Sequence, residues 1–506
     1  MEQDRFLFSE HNLNSRRFGP DMSLEQQYYV DVIDWMPQYE IRDEHLYIDD
    51  PVWGREIIGD QAGDKVLVEL ANHDALKRLQ AVEQLTLPRN YTTIPNTSLF
   101  SRWEHTWGSV VLTRRLARKY ELSSKDSVNL QLRTLLSDVG HTTGSHLGDW
   151  LFQGLGGSED QHDQELTNYL EATGVNEVLK RNNINPKDVI FPKIEDWIES
   201  PQPDLCIDRL DYALREMRRW LPGKLDLRYI FREDSMEDLV IKDGKLAMTD
   251  KVKALTFAES FLELSREHWS DPVHRLQLAL YMERAKRVIA AEHGHESSWL
   301  DFHPRDVMYC SDPEYLLAMQ EHDPFGYALD TIMDDIARYE RKIGWYRRKY
   351  RVQSRLYNDE IDSADSGIFS DYLPHHPMLK FEEGKDLNES ANLGFEFLLP
   401  SLKVREIDPL ILVDSNLVRL SEIEPKFQEK LIKHRKDMSR SYLANIAIAD
   451  NSFTYQLQYQ LEETNSKWIE AMKRPRMNSE QLKRHIGRAA SWANNHGFIY
   501  FTSDKF

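Results

Sequence analysis

The sequence predicts a mainly helical fold with a few short strands in a peripheral region. Three observations carry this expectation. Apolar residues recur at helical spacing in several long segments, as at Leu76, Leu79, Val82 and Leu85. Strand-like stretches are short and few, chiefly HLYIDD before Pro51 and the two runs flanking Asp243-Gly244. The 506 residues, 41% hydrophobic and 29% charged, form an ordinary globular mixture. That length suffices for one large core or for two or three domains.

The elements are expected in this order. Residues 1–25 are polar and carry no predicted element, and HLYIDDPVWG reads as a strand followed by a proline turn. A helix starts at Asp74 and its stripe runs to Leu85, where PRNYTTIPN breaks it. Helices follow over 103–120 and 127–139, the first with Val110, Val111, Leu112 and Leu116 and the second with Leu130, Leu132, Leu135 and Leu136 as apolar residues. The second runs into GHTTGSHLGDW, where glycines interrupt the helical pattern, and GLGGSED is a loop. Further helices are expected over 162–172 and 208–220, and DLVIKDGKLAMTD is a hairpin. Long helices fill 252–293 and 313–350, and 356–400 reads as loops with short elements. KVREIDPLILV reads as a strand, 423–445 and 453–475 as helices, and a small mixed tail ends in GFIYFTSDKF. No internal repeat is apparent.

Charge and motifs exclude several classes. A net charge of −20 favours solubility and argues against a general nucleic-acid or anionic-membrane surface. An acidic protein that binds polyphosphate must concentrate its arginines at the site. Two cysteines, Cys206 and Cys310, cannot build a disulfide scaffold and suit a reducing cytosol. No signal-peptide core opens the chain and no run of eighteen apolar residues occurs, so a cytoplasmic, non-membrane protein is expected. There is no P-loop and no nucleophile elbow, and GLGG at 154–157 is too short for a dinucleotide fingerprint. The basic, aromatic stretch from Glu340 to Arg355 reads first as a solvated helix face or a subunit contact, and second as a nucleic-acid contact. His293, His295 and His303 have no metal-motif spacing and read as ordinary.

Four segments remain: RWEH at 102–105, SDVGH at 137–141, HDQ at 162–164 and DRLDY at 208–212. They combine imidazole and carboxylate, the ligand types of a hard or borderline divalent metal. RWEHTWG resembles the RFEHSLG segment of HD-domain triphosphohydrolases, SDVGHTTGSH resembles their HDLGHGPFSH, and DRLDYALRE resembles their DKLDYLARD. DDPVWG, RLQAVEQL and the Asp-Gly hairpin also fit, so the resemblance covers roughly residues 46–315 in order and register. It implies an HD-domain helical core over 46–315. An N-terminal extension at 1–45 precedes it, and a helical C-terminal region with short strands at 316–506 follows.

By that resemblance, His105, Asp138 and Asp208 match metal ligands, while Ser137 stands where the family carries the His of its central pair. One nitrogen and two oxygens suit Mg or Mn better than Zn. His141, His146 and His162 match histidines around the alpha phosphate, with Asp149 as acidic partner. His162 is the candidate proton donor, and His141 holds a phosphate oxygen or tunes His162. Arg102 and Arg209 match phosphate-facing positions, Tyr212 and Gln84 sugar-proximal ones. Asp211 reads equally as a helix-stabilising residue or a ligand. The implied reaction is metal-dependent hydrolysis of a nucleotide, in the family a deoxynucleoside triphosphate giving deoxynucleoside and triphosphate. A homo-oligomer is also implied. Ser137, and Trp107 where the family prefers a small polar residue, keep two alternatives open. One is an HD protein that binds nucleotide or assembles without hydrolysis. The other is a phosphatase for a different phosphorylated small molecule.

Overall fold

The computed structural model describes residues 38–86, 100–153, 161–190, 197–220, 233–270, 272–291, 299–322, 378–383, 395–399, 404–438, 442–447 and 464–496. The expectations for 1–25, PRNYTTIPN, GLGG, His293, His295, 340–355 and GFIYFTSDKF lie outside the described residues. The fold is mainly helical with a small mixed β part around an HD-like helical core.

The chain enters through an antiparallel sheet, β1 (Gln38–Arg42), β2 (His45–Asp50) and β3 (Gly54–Ile58), with Asp50 closing β2 at the expected turn. Helix α1 (Lys65–Ala71) and the short α2 (Asp74–Lys77) follow, and a tight turn at Arg78–Ala81 ends the helical run. The stripe does not continue as helix to Leu85. From Val82 the buried positions alternate, Val82, Gln84 and Thr86, and Glu83 forms a bridge with Ser101. Spacing of three to Val82 and Leu85 is compatible with either geometry, and extended backbone turns Gln84 inward.

Helix α3 (Arg102–Lys119) begins with a capping box. The Glu104 N–H donates to Ser101 Oγ and the Ser101 N–H donates to Glu104 Oε1, each at 3.3 Å. Helix α4 (Ser124–Ser137) is capped by Ser123 and packs on α3. Helices α5 (Leu147–Gln153), α6 (Gln161–Thr173) and α7 (Ile207–Trp220) complete the site-bearing set. Trp103, Trp107, Leu132, Leu135 and Leu210 lie in one continuous buried core. Trp107 is fully enclosed, 5.6 Å from the Trp103 ring, so its bulk serves packing.

The expected hairpin is β4 (Leu239–Lys242) and β5 (Lys245–Met248), turning through Asp243 and Gly244 with φ of 52° and 75°. β8 (Leu410–Val413) adds to β5 in parallel, and β9 (Asn416–Arg419) pairs antiparallel beyond it. The hairpin is thus half of a four-stranded sheet whose other half comes from the C-terminal region. The helical stretch expected over 252–293 holds α8 (Lys251–Leu264) and α9 (Pro272–Ala290), separated by a wider turn at Ser265–Trp269 and by Pro272. Helix α10 (Asp312–His322) starts as expected.

In the C-terminal region one reading changes and the others gain definition. Within 356–400, β6 (Met378–Glu383) and β7 (Phe395–Leu399) are strands. Both pair with β10 (Tyr442–Ala447), so the helix expected over 423–445 is confined to α11 (Pro425–Met438). YLANIA is a short apolar run that periodicity alone cannot divide between helix and strand. The residues before the tail form α12 (Ser479–His496), packed on α2, the 78–81 turn and α6. Among the described residues, no helix is long and apolar enough to cross a membrane.

Candidate active site

Three elements converge on one point. The first turn of α3 carries Arg102 and His105, Asp138 ends α4, and Asp208 lies in the first turn of α7. His105 Nε2 is 3.0 Å from Asp208 Oδ1 and 3.3 Å from Asp138 Oδ2, while its Nδ1 is 2.7 Å from Asp211 Oδ2. Both ring nitrogens face carboxylates, and the hydrogen of a neutral ring is assigned to Nδ1, which makes the shorter contact. The Nε2 lone pair of a neutral ring then meets two carboxylate oxygens with no hydrogen between them. A proton on Nε2 or a cation resolves that conflict. Burial opposes the proton, but hydrogen bonds to Asp138, Asp208 and Asp211 lift the His105 pKa well above the usual imidazole range. The same atoms suit a divalent cation, for the ligand atoms of His105, Asp138 and Asp208 all lie within 4.8 Å of one another. Burial disfavours ionised Asp138, but Arg102 and then His141 outweigh it and hold its carboxyl well below the usual range.

Ser137 lines the same cavity, yet its Oγ donates to the Thr134 carbonyl at 3.0 Å. A hydroxyl turned onto its own helix offers a cation little in place of an imidazole.

Beside this set lies a histidine cluster on the Thr142–Ser145 turn and the start of α6. Asp312 pins the turn, accepting at Oδ1 from Thr143 Oγ1 and the Gly144 N–H, both at 2.7 Å. Arg102 donates through Nε to Ser145 Oγ at 2.5 Å and through NH1 to Asp138 Oδ2 at 2.6 Å. Its NH2 is 3.1 Å from His146 Nε2. A guanidinium only donates, so His146 Nε2 accepts and its Nδ1–H points to Asp149 Oδ2 at 3.0 Å. Asp149 Oδ2 also faces His162 Nδ1 at 3.5 Å. The His162 and His141 rings stack at 3.7 Å. A Cβ at Gly140 would come within 3.0 Å of the His162 carbonyl, so glycine there allows α6 this close.

The two stacked rings are tuned in opposite directions. Burial opposes charge on His162, but the Asp149 carboxylate 3.5 Å from its Nδ1, with Asp163 and Asp138 behind, pushes its pKa up to about 9. Burial, then the positive Arg102 and His162, hold His141 well below the usual range. Asp149 is kept ionised because its bonds to His146 and His162 outweigh its burial. The pair at neutral pH is therefore a cationic His162 against a neutral His141.

A cavity of about 430 Å³ joins these groups. Gln84, Arg102, His105, Asp138, His141, His146, His162, Asp208, Arg209 and Tyr212 all line it, and Asp149 sits behind the histidines. Arg209 has a second task, for its guanidinium donates to the Asp204 carbonyl and to that of Ser200, the latter at 3.0 Å. Tyr212 stands edge-on between His105 and Trp269.

The cavity also takes Asp163, Glu199, Glu216, Trp269, His274 and Arg405, which sequence reasoning missed. Asp163 sat inside the quoted HDQ segment and could have been found. The others belong to no motif, and Arg405 lies nearly two hundred residues beyond α7. Glu199 is exposed by surface area yet crowded within the cleft. That crowding, then Asp208, Asp163 and Asp138, push its carboxyl up to about 7.

No protein-family model matches the chain. Over 253 residues it is 28% identical to the metal-dependent phosphohydrolase cns2 of Cordyceps militaris, covering 49% of this chain and 67% of that protein. Over 215 residues it is 25% identical to the uncharacterized protein YdhJ of Bacillus subtilis, covering 41% of this chain and 58% of that one. Among solved structures it is similar to a phosphohydrolase from Bacteroides thetaiotaomicron, with a TM-score of 0.48 and 13% identity over 81% of this chain and all of the other.

Proposed function

We propose that the chain is a metal-dependent phosphohydrolase of HD type, acting on a phosphorylated small molecule, with a nucleotide as first candidate. One observation carries the reading: three lone-pair donors, His105 Nε2, Asp138 and Asp208, converge beside His162 and Arg102 in one cavity. The similarity to the Cordyceps militaris phosphohydrolase supports it.

His105, Asp138 and Asp208 would hold the cation, and Mg or Mn fits their one nitrogen and two oxygens. A bound divalent ion polarises a phosphoryl oxygen and lowers the pKa of water. Arg102 has three of its five N–H groups on Ser145, Asp138 and His146, leaving two for a phosphate oxygen. His162 gives its proton to the ester oxygen as water attacks phosphorus and the P–O bond breaks, and Asp149 stabilises the charge His162 carries beforehand. Neutral His141 supports the stacked ring. Gln84 and Tyr212 contact the organic part of the substrate. For a deoxynucleoside triphosphate attacked at the alpha phosphorus, the products are deoxynucleoside and triphosphate. Assembly as a homo-oligomer belongs to the same reading.

The test is a panel of phosphorylated compounds supplied with Mg, Mn, Co, Ni or Fe in turn, with products identified. Triphosphate release supports the nucleoside-triphosphate reading, and release of single phosphates supports a phosphatase. Tight nucleotide binding without turnover under any metal refutes hydrolysis. Asp208→Ala should abolish any activity found, and an active Asp208→Ala protein would place the chemistry elsewhere.

A further inference from the structure

We propose that Asp211 is a positioning residue for His105, fixing its hydrogen on Nδ1 and aiming Nε2 at the cation position. The inference rests on the functional reading above.

Asp211 and its helical neighbour Arg215 could pair on any exposed helix face, one turn apart. Here both side chains are fully buried, and the pair is tied to other elements. Arg215 donates from Nε to Asp211 Oδ2 at 2.8 Å and from NH2 to Asp211 Oδ1 at 3.0 Å. The same NH2 reaches Asp50 Oδ2 at 2.6 Å. Trp53 Nε1 donates to Asp211 Oδ1 at 2.5 Å. Asp50 Oδ1 in turn accepts the Val52 and Trp53 N–H groups at 2.8 and 2.9 Å. Asp211 thus spends one oxygen on Trp53 and Arg215 and offers the other to His105 and Arg215.

Helix stabilisation alone requires none of these tertiary contacts. A carboxylate accepting from the far nitrogen of a metal-binding imidazole sets its tautomer, limits its rotation and raises its basicity. The backbone is shaped for this approach as well. A Cβ on Gly108 of α3 would lie 1.8 Å from Arg215 NH2 and 2.3 Å from Asp211 Oδ1. The pair can reach His105 because α3 presents no side chain at that turn.

The experiment uses the full chain stripped with chelator and Mn²⁺ alone as probe. Binding is measured by calorimetry and by electron paramagnetic resonance for wild type and Asp211→Asn, with circular dichroism as the folding control. The expected result is Mn²⁺ affinity weaker by about 10- to 100-fold in Asp211→Asn, the range for such outer partners. Equal affinity in a folded Asp211→Asn protein overturns the inference and leaves the functional reading standing. Failure of wild type to bind Mn²⁺ at all overturns the functional reading, and this inference with it. If Asp211→Asn does not fold, nitrogen-15 spectra of histidine-labelled wild type with Mg²⁺ decide the question. An Nδ1 hydrogen on His105 shifted downfield and protected from exchange, as a carboxylate acceptor requires, supports the inference, and an Nδ1 hydrogen without that shift or protection overturns it.

Discussion

Gly108→Ala sets two opposed effects against each other. In an ordinary helix interior, alanine is favoured over glycine by roughly 0.8–1 kcal/mol. At Gly108 the added methyl would sit 1.8 Å from Arg215 NH2 and 2.3 Å from Asp211 Oδ1. A guanidinium tip can often swing aside at small cost. Arg215 cannot do so freely, since its side chain is only 1% exposed and NH2 is anchored to both Asp50 and Asp211. Moving it separates a buried ion pair, which costs about 3–5 kcal/mol when a partner is lost outright. After the propensity gain, the net destabilisation should be about 2–4 kcal/mol. Denaturant melts followed by circular dichroism measure it, as a lower midpoint with little change in slope. Mn²⁺ affinity should fall too, because the displaced Asp211 no longer holds His105. A Gly108→Ala protein as stable as wild type, or more so, would mean that Arg215 has room to move. The argument for a rigid Asp50–Arg215–Asp211–His105 chain would then fail.

Three other outcomes follow from the site and its surroundings. Asp149→Asn removes the carboxylate charge that lifts His162 to about 9, so its pKa, followed by nuclear magnetic resonance, should drop by at least about one unit; a value still near 9 would assign the shift elsewhere. Ser137→His puts an imidazole where the family carries one and should tighten Zn²⁺ or Co²⁺ binding more than Mn²⁺ binding, about tenfold or more in the ratio, by competition titration; an unchanged ratio would show that this position does not face the cation. His485 gives a stability test away from the site. Arg488 can only donate to its Nδ1, at 2.8 Å, so Nε2–H donates to the Val307 carbonyl at 3.1 Å and the ring is held neutral. Burial and then Arg488 push its pKa down to about 3, below the usual imidazole value, so its contribution is complete above about pH 6.5 and is lost as pH falls toward 3. At pH 5 the loss is about 2 kcal/mol relative to pH 7. His485→Gln should flatten that slope in paired melts, and identical slopes would refute the assignment.

How much of this was legible in the sequence depended on whether the informative contact was local. The helical class followed from periodicity, and the family resemblance carried by RWEH, SDVGH and DRLDY nominated His105, Asp138 and Asp208, which the fold places around one point. Val82 and Leu85 misled because spacing of three is no less regular when the chain turns extended, and only the burial of Gln84 and Thr86 separates the two. YLANIA misled for a related reason: the paired strands that fix it, β6 and β7, begin more than forty residues upstream.

Asp211 marks the limit most clearly. The sequence leaves it evenly between a helix-stabilising residue and a ligand, and its spacing to Arg215, a local fact, is compatible with the first. Its partners Trp53 and His105 are 158 and 106 positions away, and only the folded chain brings them to one carboxylate, with Asp50 joined to it through Arg215. Trp269 and Arg405 are hidden in the same way, since an aromatic ring and a guanidinium beside a cavity have no sequence signature of their own. Ligand types can be read from the chain because chemistry restricts them to a few residues. The groups that aim the ligands are restricted only by geometry, so a motif nominates a site and packing decides how it is aimed.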